Sequence, residues 1–126
     1  MKPDIKGLEK LAVHLRTVPT KEFDMETWIT DTPCGTSACI AGHAALLFPE
    51  RFKRKIVHKD DGYTSYSVVH RKSGISGSEG FGKAFNLMPK DAENLTIWGF
   101  YQTPKQAAAG VTKLVKKLKL EMAGKK

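Results

Sequence analysis

Apolar residues recur at helical spacing near both ends of the chain. The first set ends just before Pro19 and comprises Ile5, Leu8, Leu11, Ala12, Leu15 and Val18. The second set comprises Val111, Leu114, Val115, Leu118 and Met122. Residues three and four apart lie on one face of an α-helix, so each set predicts an amphipathic helix. For the second helix, Thr103 can serve as N-cap, Pro104 suits the first position and Gln106 completes a capping box.

The middle of the chain shows the alternation that is typical of strands. Residues 55–59 and 63–70 flank residues 60–62, whose sequence Asp-Asp-Gly is typical of a tight turn. The pattern therefore predicts a β-hairpin, with His70 at the end of its second strand.

Glycine and serine dominate residues 73–82, which contain four glycines and three serines. This composition predicts a mobile surface loop over residues 71–82. Backbone N–H groups of such a loop can also cradle a phosphate, but the segment matches neither the phosphate-loop motif nor the dinucleotide motif. Two short helices are predicted next, at about residues 79–87 and 89–98.

An almost continuous apolar run occupies residues 38–48, in which His43 is the polar exception. Thr36 or Ser37 can cap this run as a helix, and a proline follows it. A helix that is apolar on all sides is buried. The pattern therefore predicts a buried central helix over residues 37–48.

These elements predict an α+β fold, a mostly helical single domain over residues 1–126 with one β-hairpin and the buried central helix. A chain that is 40% hydrophobic and 27% charged has the composition of an ordinary globular protein. It contains no apolar run near the ~20 residues that cross a bilayer, and no apolar signal core follows Met1. We therefore expect a cytoplasmic protein without a membrane partner, in which both cysteines are free thiols.

Positive charge is concentrated in one segment of the chain. The net charge is +8, and residues 51–59 contain five bases and no acid. Such a segment can bind nucleic acid or an acidic protein. The predicted binding residues are Arg51, Lys53, Arg54, Lys55 and Lys59. A second basic surface is predicted on the outer face of the last helix, formed by Lys113, Lys116, Lys117 and Lys119. The alternative is that these charges only keep the protein soluble.

Cys34 is a candidate catalytic nucleophile. It precedes the predicted central helix, and the amino end of a helix can lower the pKa of a thiol. A cysteine nucleophile needs a base and a group that orients the base. Chain order suggests His70 as the base and Asp91 as its partner, with Asn86 or Asn94 as other options. The alternative is a structural turn with a small buried thiol, so the sequence leaves enzyme activity open.

Cys34, Cys39 and His43 are weak candidates for a zinc site. Cys39 and His43 lie one helical turn apart, but a fourth ligand would have to come from the other three histidines. The spacing matches no familiar zinc motif, so we expect no metal and no cofactor. The favoured interpretation is that Gly42 lets another element approach the helix closely. His43 then hydrogen-bonds to a buried carbonyl.

A longer pattern spans these candidates: Phe23-Asp24-Met25-x-x-Trp28, followed by Cys34-Gly35-Thr36-x-x-Cys39-x-Ala41-Gly42-His43. It resembles a family of small uncharacterised proteins from bacteriophages and bacteria. The resemblance covers about residues 23–47. It implies a phage or prophage setting, with the host cytoplasm as location, and it implies no activity.

A shorter motif is Cys34-Gly35-Thr36-x-x-x-Ile40, with His43-Ala44 nearby. It is similar to the nucleophile segment of ubiquitin carboxyl-terminal hydrolases, Cys-Gly-Thr-x-x-Leu-x-His-Ala. His43 lies two residues later than in that family, and Trp28 stands where the family has an oxyanion-hole glutamine. The resemblance implies that Cys34 is a nucleophile.

The sequence as a whole favours a small phage- or prophage-type protein that binds a host macromolecule, either a protein or nucleic acid. A cysteine-dependent hydrolase or transferase that uses Cys34 is the alternative, and a nucleic-acid-binding module is the third hypothesis. An enzyme requires a Cys34 that solvent reaches and an imidazole close to it. A binding protein requires an exposed basic or apolar surface.

Overall fold

The computed structural model describes residues 2–25, 27–33, 35–96 and 101–124 and has an α+β fold. In chain order its elements are α1 (Ile5–Thr17), a 3₁₀ turn (Thr20–Glu22), β1 (Ile29–Thr32), β2 (Gly35–Ala38), α2 (Ile40–Leu47), β3 (Phe52–Asp60), β4 (Tyr63–His70), α3 (Gly77–Phe85), α4 (Pro89–Thr96) and α5 (Pro104–Ala123). The predicted α+β class is confirmed, and the two terminal amphipathic helices correspond to α1 and α5.

Four antiparallel strands form one sheet in the order β2-β1-β4-β3. The predicted hairpin corresponds to β3 and β4, and β3 is an edge strand of the sheet. The prediction of a single hairpin is wrong, because β1 and β2 form a second antiparallel pair beside β4. Ile29 of β1 lies opposite Ala38 of β2 and Tyr66 of β4, so β1 is paired on both sides.

The two faces of the sheet differ in polarity. Residues directly opposite each other in an antiparallel pair lie on the same face. One face contributes four residues to the core, each at most 2% exposed: Ile29, Ala38, Phe52 and Val68. The other, which we call the open face, carries Thr30, Ser37, Lys53, Lys55, Ser65 and Ser67, and at one end the buried Val69. Hydroxyl and ammonium groups therefore line the side of the sheet that faces away from the core.

The central helix α2 begins three residues later than predicted. Cys39 is its N-cap, and the Cys39 Sγ accepts a hydrogen bond from the Gly42 N–H at 3.5 Å. The predicted caps, Thr36 and Ser37, lie in β2, so that part of the prediction is wrong. Residues 35–38 form a strand because they pair with β1. Local propensity does not predict such a strand, since its formation depends on pairing with another segment. Residues 40–45 of α2 are buried.

The Gly/Ser-rich segment is largely helical, which corrects the predicted loop over residues 73–82. Helix α3 begins at Gly77, and Ser76 forms an isolated bridge with Val69. The loop is therefore confined to the residues between β4 and Gly77. The predicted end of α4 at residue 98 lies outside the described residues.

Helix α5 packs along α1. The predicted N-cap is confirmed, since the Thr103 Oγ1 accepts a hydrogen bond from the Gln106 N–H at 3.1 Å. The Gln106 Oε1 in turn accepts from the Gln102 N–H at 2.9 Å, one residue before the cap. None of the helices in the described part of the chain has the length and hydropathy that a bilayer span requires.

Candidate functional site

The candidate catalytic residues are only partly located by the structure. Cys34 lies outside the described residues, so its role as nucleophile stays a prediction. His70 ends β4, and its Nδ1 lies 2.8 Å from the Ser73 Oγ. Asp91 is buried on α4, where it accepts a hydrogen bond from the Lys117 Nζ at 2.9 Å. Within the described ranges, His70 and Asp91 thus have different partners, and no hydrogen bond joins them.

Cys39 has the environment of a structural thiol. It is 2% exposed, and burial raises the pKa of its thiol to about 11. Hydrogen bonds from backbone groups of Ala41 and Gly42 oppose that rise but are outweighed by desolvation. A thiol with such a pKa is protonated at neutral pH and is a poor nucleophile. Cys39 therefore caps a helix and is unsuited to catalysis.

Iodoacetamide will distinguish the two cysteines in single-cysteine variants. In Cys34→Ser, the remaining Cys39 should react at least about 100-fold more slowly in the folded protein than in denaturant, because it is buried and protonated. In Cys39→Ser, Cys34 should react faster than a free cysteine if it is a nucleophile. Reaction of the second variant at the rate of a model peptide would end the enzyme hypothesis. Rapid reaction of folded Cys34→Ser would contradict the burial of Cys39.

His43 belongs to a buried chain of hydrogen bonds. Its Nε2 lies 2.8 Å from the Glu22 carbonyl oxygen, and its Nδ1 lies 3.2 Å from the His14 Nε2. A carbonyl can only accept, so the His43 Nε2 carries a proton and its Nδ1 accepts from His14. Burial lowers the pKa of both rings. The predicted bond from His43 to a carbonyl is confirmed, although the residue that supplies the carbonyl, Glu22, is half-buried and not fully buried.

The zinc candidates have other contacts in the structure. Cys39 caps α2, and both ring nitrogens of His43 have hydrogen-bonding partners. Across residues 2–25, 27–33, 35–96 and 101–124, no group of three or more His, Cys, Asp or Glu side chains is placed to hold a metal ion. Cys34 lies outside these ranges.

Arg51, one of the predicted binding residues, is half-buried and has partners within the fold. Its guanidinium lies 4.5 Å above the Phe48 ring and 5.2 Å from the centre of the Phe85 ring. It also forms an ion pair with Asp4. The ion pair and the ring contacts of Arg51 therefore connect α1 with the sheet and with α3.

The other bases of this segment lie on the exposed edge strand. Arg54 lies 4.9 Å above the Tyr66 ring, and its Nη1 is 3.9 Å from an oxygen of Asp31. Lys53, Lys55 and Lys59 are exposed. None of the ion pairs found among the described residues involves these three lysines.

An aromatic pair accompanies these lysines. The rings of His58 and Tyr63 are stacked, with centroids 5.3 Å apart. The turn between β3 and β4 brings them together across the hairpin, and we did not identify this pair from the sequence. Spacing around the Asp-Asp-Gly turn is the signal that could have found it. We define the basic hairpin surface as Lys53, Lys55, Lys59, His58 and Tyr63. The register shift in β3 places Lys59 opposite Thr64, on the other face of the edge strand from Lys53 and Lys55.

Two features of the β3 edge disfavour pairing with another strand. A register shift lies between Ile56 and His58, and a bulge of this kind bends an edge strand. Lysines along an edge also discourage the addition of a further strand. Ile56 and Val57 are 56% and 68% exposed, so the surface also offers apolar contact. These features favour a ligand that binds side chains over one that extends the sheet.

The lysines of the last helix divide into two groups. Lys117 binds Asp91 and lies 3.7 Å from Glu121, and Lys119 lies 3.3 Å from Glu9. The carboxylates raise the pKa of Lys117. Lys113 and Lys116 instead line a cleft between α5 and α1. The second basic surface predicted from the sequence is therefore reduced to this cleft.

Comparison with protein-family models, curated proteins and solved structures gives no match for this chain. The phage-type and hydrolase resemblances therefore stay predictions. Function is inferred from the charge, burial and geometry of the described residues.

Proposed function

We propose that this protein binds nucleic acid through the basic hairpin surface. The observation that carries the proposal is a group of three exposed lysines on an edge strand, which form none of the ion pairs found among the described residues. A stacked aromatic pair lies beside them, and its His58 ring is 3.8 Å from an oxygen of Asp60. The sequence favours binding to a host macromolecule, either a protein or nucleic acid, and this proposal selects nucleic acid. The phage or prophage setting and the host cytoplasm, both implied by resemblance, belong to the same proposal.

The spacing of the lysines along β3 suits contact with a phosphate backbone. Lys53 and Lys59 are separated by about 20 Å at the usual rise of a strand. Phosphates follow each other every ~3.4 Å along one strand of a duplex, so several phosphates fit along this edge. Ammonium groups that neutralise phosphates release counterions, which is the main sequence-independent source of affinity for nucleic acid.

The open face adds hydrogen-bond donors next to the lysines. Lys53 and Lys55 share this face with the hydroxyl groups of Ser65, Ser67 and Thr30. Serine and threonine hydroxyls commonly donate to phosphate oxygens. Lysine and hydroxyl donors on one face can therefore hold the same backbone.

The aromatic pair favours unpaired bases. Tyr63 is 39% exposed, and its ring is stacked on that of the exposed His58. Bases stack on exposed aromatic rings, and this contact is worth about 1–3 kcal/mol per base. A single strand offers such bases, whereas a duplex does not. We therefore expect single-stranded nucleic acid to bind more tightly than duplex of the same length.

Salt-dependent binding tests the proposal. Fluorescence anisotropy with labelled single-stranded DNA should give an affinity that falls steeply as salt rises. The variant Lys53→Gln/Lys55→Gln/Lys59→Gln should lose at least about 10-fold in affinity and about two units of the slope of log K against log salt. These side chains are exposed, so the variant should keep the wild-type melting temperature.

A matched variant controls for the loss of total charge. Lys2, Lys6 and Lys90 are also exposed and lie outside the hairpin. Their triple replacement by glutamine removes the same charge and should change affinity by less than about 3-fold. Equal losses in the two variants, or no wild-type binding at low salt, would overturn the proposal. Retention on an acidic protein without any binding to DNA would instead indicate a protein partner.

A further inference from the structure

A cleft between α1 and α5 gathers positive charge away from the hairpin. It has a volume of about 570 Å³ and is lined by Arg16, Lys105, Ala109, Thr112, Lys113 and Lys116. We propose that this α1/α5 cleft is a second phosphate-binding site, so that one molecule joins two segments of nucleic acid. The inference rests on the proposed function, since it adds a second site to the nucleic-acid binding assigned to the hairpin.

The residues that line the cleft include basic side chains and no carboxylate. Four of its six lining residues are basic, and none is acidic. The neighbouring lysines on α5 differ, because Lys117 and Lys119 are paired with Asp91 and Glu9. Lys105, Lys113 and Lys116 take part in none of the ion pairs found in the part of the chain that the structure describes. Their positive charge therefore remains available to an anionic ligand.

The wall of the cleft is ordered by a contact between the two helices. The Arg16 guanidinium of α1 donates a hydrogen bond to the Thr112 Oγ1 of α5 at 3.1 Å. This bond holds the Arg16 charge beside the lysines of α5. Arg16 was not identified as a functional residue from the sequence, because only the packing of α1 on α5 places it there.

The length of the charged row fits an extended ligand. Lys105 and Lys116 are eleven residues apart on one helix, which corresponds to about 16 Å along its axis. At ~3.4 Å of helix axis per phosphate in one strand of a duplex, this length corresponds to about five phosphates, and to fewer in an extended single strand. A nucleic-acid backbone can therefore contact the whole row, whereas a single phosphate contacts only part of it.

The cleft and the hairpin lie in different layers of the fold. Helix α5 packs mainly on α1 and α4, whereas the sheet packs mainly on α2 and α3. Helix α1 in turn packs on α2, so a layer of helices separates the two basic surfaces. One short segment of nucleic acid then occupies one surface, and a second segment is needed for the other.

A capture experiment tests the second site. Biotinylated single-stranded DNA on beads binds the full-length protein at low salt, and fluorescent DNA of another sequence is then added. The wild type should retain the second DNA. The variant Lys105→Gln/Lys113→Gln/Lys116→Gln should retain at least about 10-fold less of it, while its affinity for a single DNA stays within about 3-fold of the wild type. The matched control is again the triple variant at Lys2, Lys6 and Lys90.

Each outcome separates the inference from the proposed function. Binding of the first DNA without retention of the second would overturn the second site and leave the hairpin function intact. Equal retention by the cleft variant and the wild type would also overturn it, and would indicate bridging by self-association. Absence of binding to the first DNA would overturn both proposals. Competition by free inorganic polyphosphate that removes only the second DNA would support a phosphate site in the cleft.

Discussion

Replacing Gly42 by alanine is expected to destabilise the protein by about 3 kcal/mol or more. A Cβ at position 42 would lie 1.8 Å from the carbonyl oxygen of Trp28 and 2.7 Å from the Cβ of Ala38. The first of these neighbours is backbone just ahead of β1, so no side-chain rotation relieves the clash. Alanine normally favours a helix by about 1 kcal/mol over glycine, and here the steric cost exceeds that gain.

Urea denaturation will measure this effect, with Gly124→Ala as the matched control. Gly124 follows α5, and an added Cβ there would have its nearest neighbour at 3.5 Å, an ordinary contact. The control should change the free energy of unfolding by less than about 0.5 kcal/mol. A Gly42→Ala variant as stable as the wild type would show that β1 does not approach α2 this closely.

Replacing His43 by leucine is expected to lower the free energy of unfolding by about 1–3 kcal/mol near neutral pH. Leucine fills the same buried space but leaves the Glu22 carbonyl and the His14 ring without their hydrogen-bonding partner. A buried acceptor that loses its partner carries the full cost of its desolvation.

The same variant is expected to weaken the acid sensitivity of the protein. Burial lowers the pKa of His43 and His14 in the folded state, whereas histidines in the unfolded chain titrate at about 6.5. The unfolded chain therefore binds more protons below about pH 6.5, and stability is lost as the pH falls from there toward the lowered pKa values. The hydrogen-bond geometry agrees, because only one proton fits between the His14 Nε2 and the His43 Nδ1.

Denaturation curves between about pH 7.5 and 5.5 will compare the wild type, His43→Leu and the exposed-site control His58→Leu. We expect a shallower dependence on pH for His43→Leu than for the wild type or for His58→Leu, because His58 is exposed and lies outside the His14–His43 pair. Identical slopes for all three proteins would rule out the buried pair as the acid-sensitive element.

The two largest effects concern residues that the sequence already singled out. Gly42 was predicted to permit a close approach, and His43 was predicted to bond a carbonyl. The sequence left the approaching element open, and it is the segment that leads into β1. A glycine among small residues indicates that another element packs closely at that position. The local sequence does not indicate which element it is.

The proposed binding site was also predicted in part. Charge counting located residues 51–59, but it did not show that the Arg51 guanidinium lies over two phenylalanine rings. The charged residues can be identified from the sequence, but the partner that neutralises each charge cannot. Lys117 and Asp91 are 26 residues apart, and Lys119 and Glu9 are 110 apart.

The sequence by itself determined the elements whose signals are local. Apolar spacing defined α1 and α5, capping residues further defined the start of α5, and alternation around a tight turn defined β3 and β4. These patterns need no information from elsewhere in the chain, because each reflects the period of one element.

Only the tertiary structure decided that residues 35–38 form a strand, that α2 begins after Cys39, and that the lysines of two separate basic surfaces form none of the ion pairs found among the described residues. Strand pairing, ion pairing and the close contact at Gly42 each join positions that are distant along the chain. Their free energies depend on which groups meet after folding, so no local pattern in the sequence encodes them.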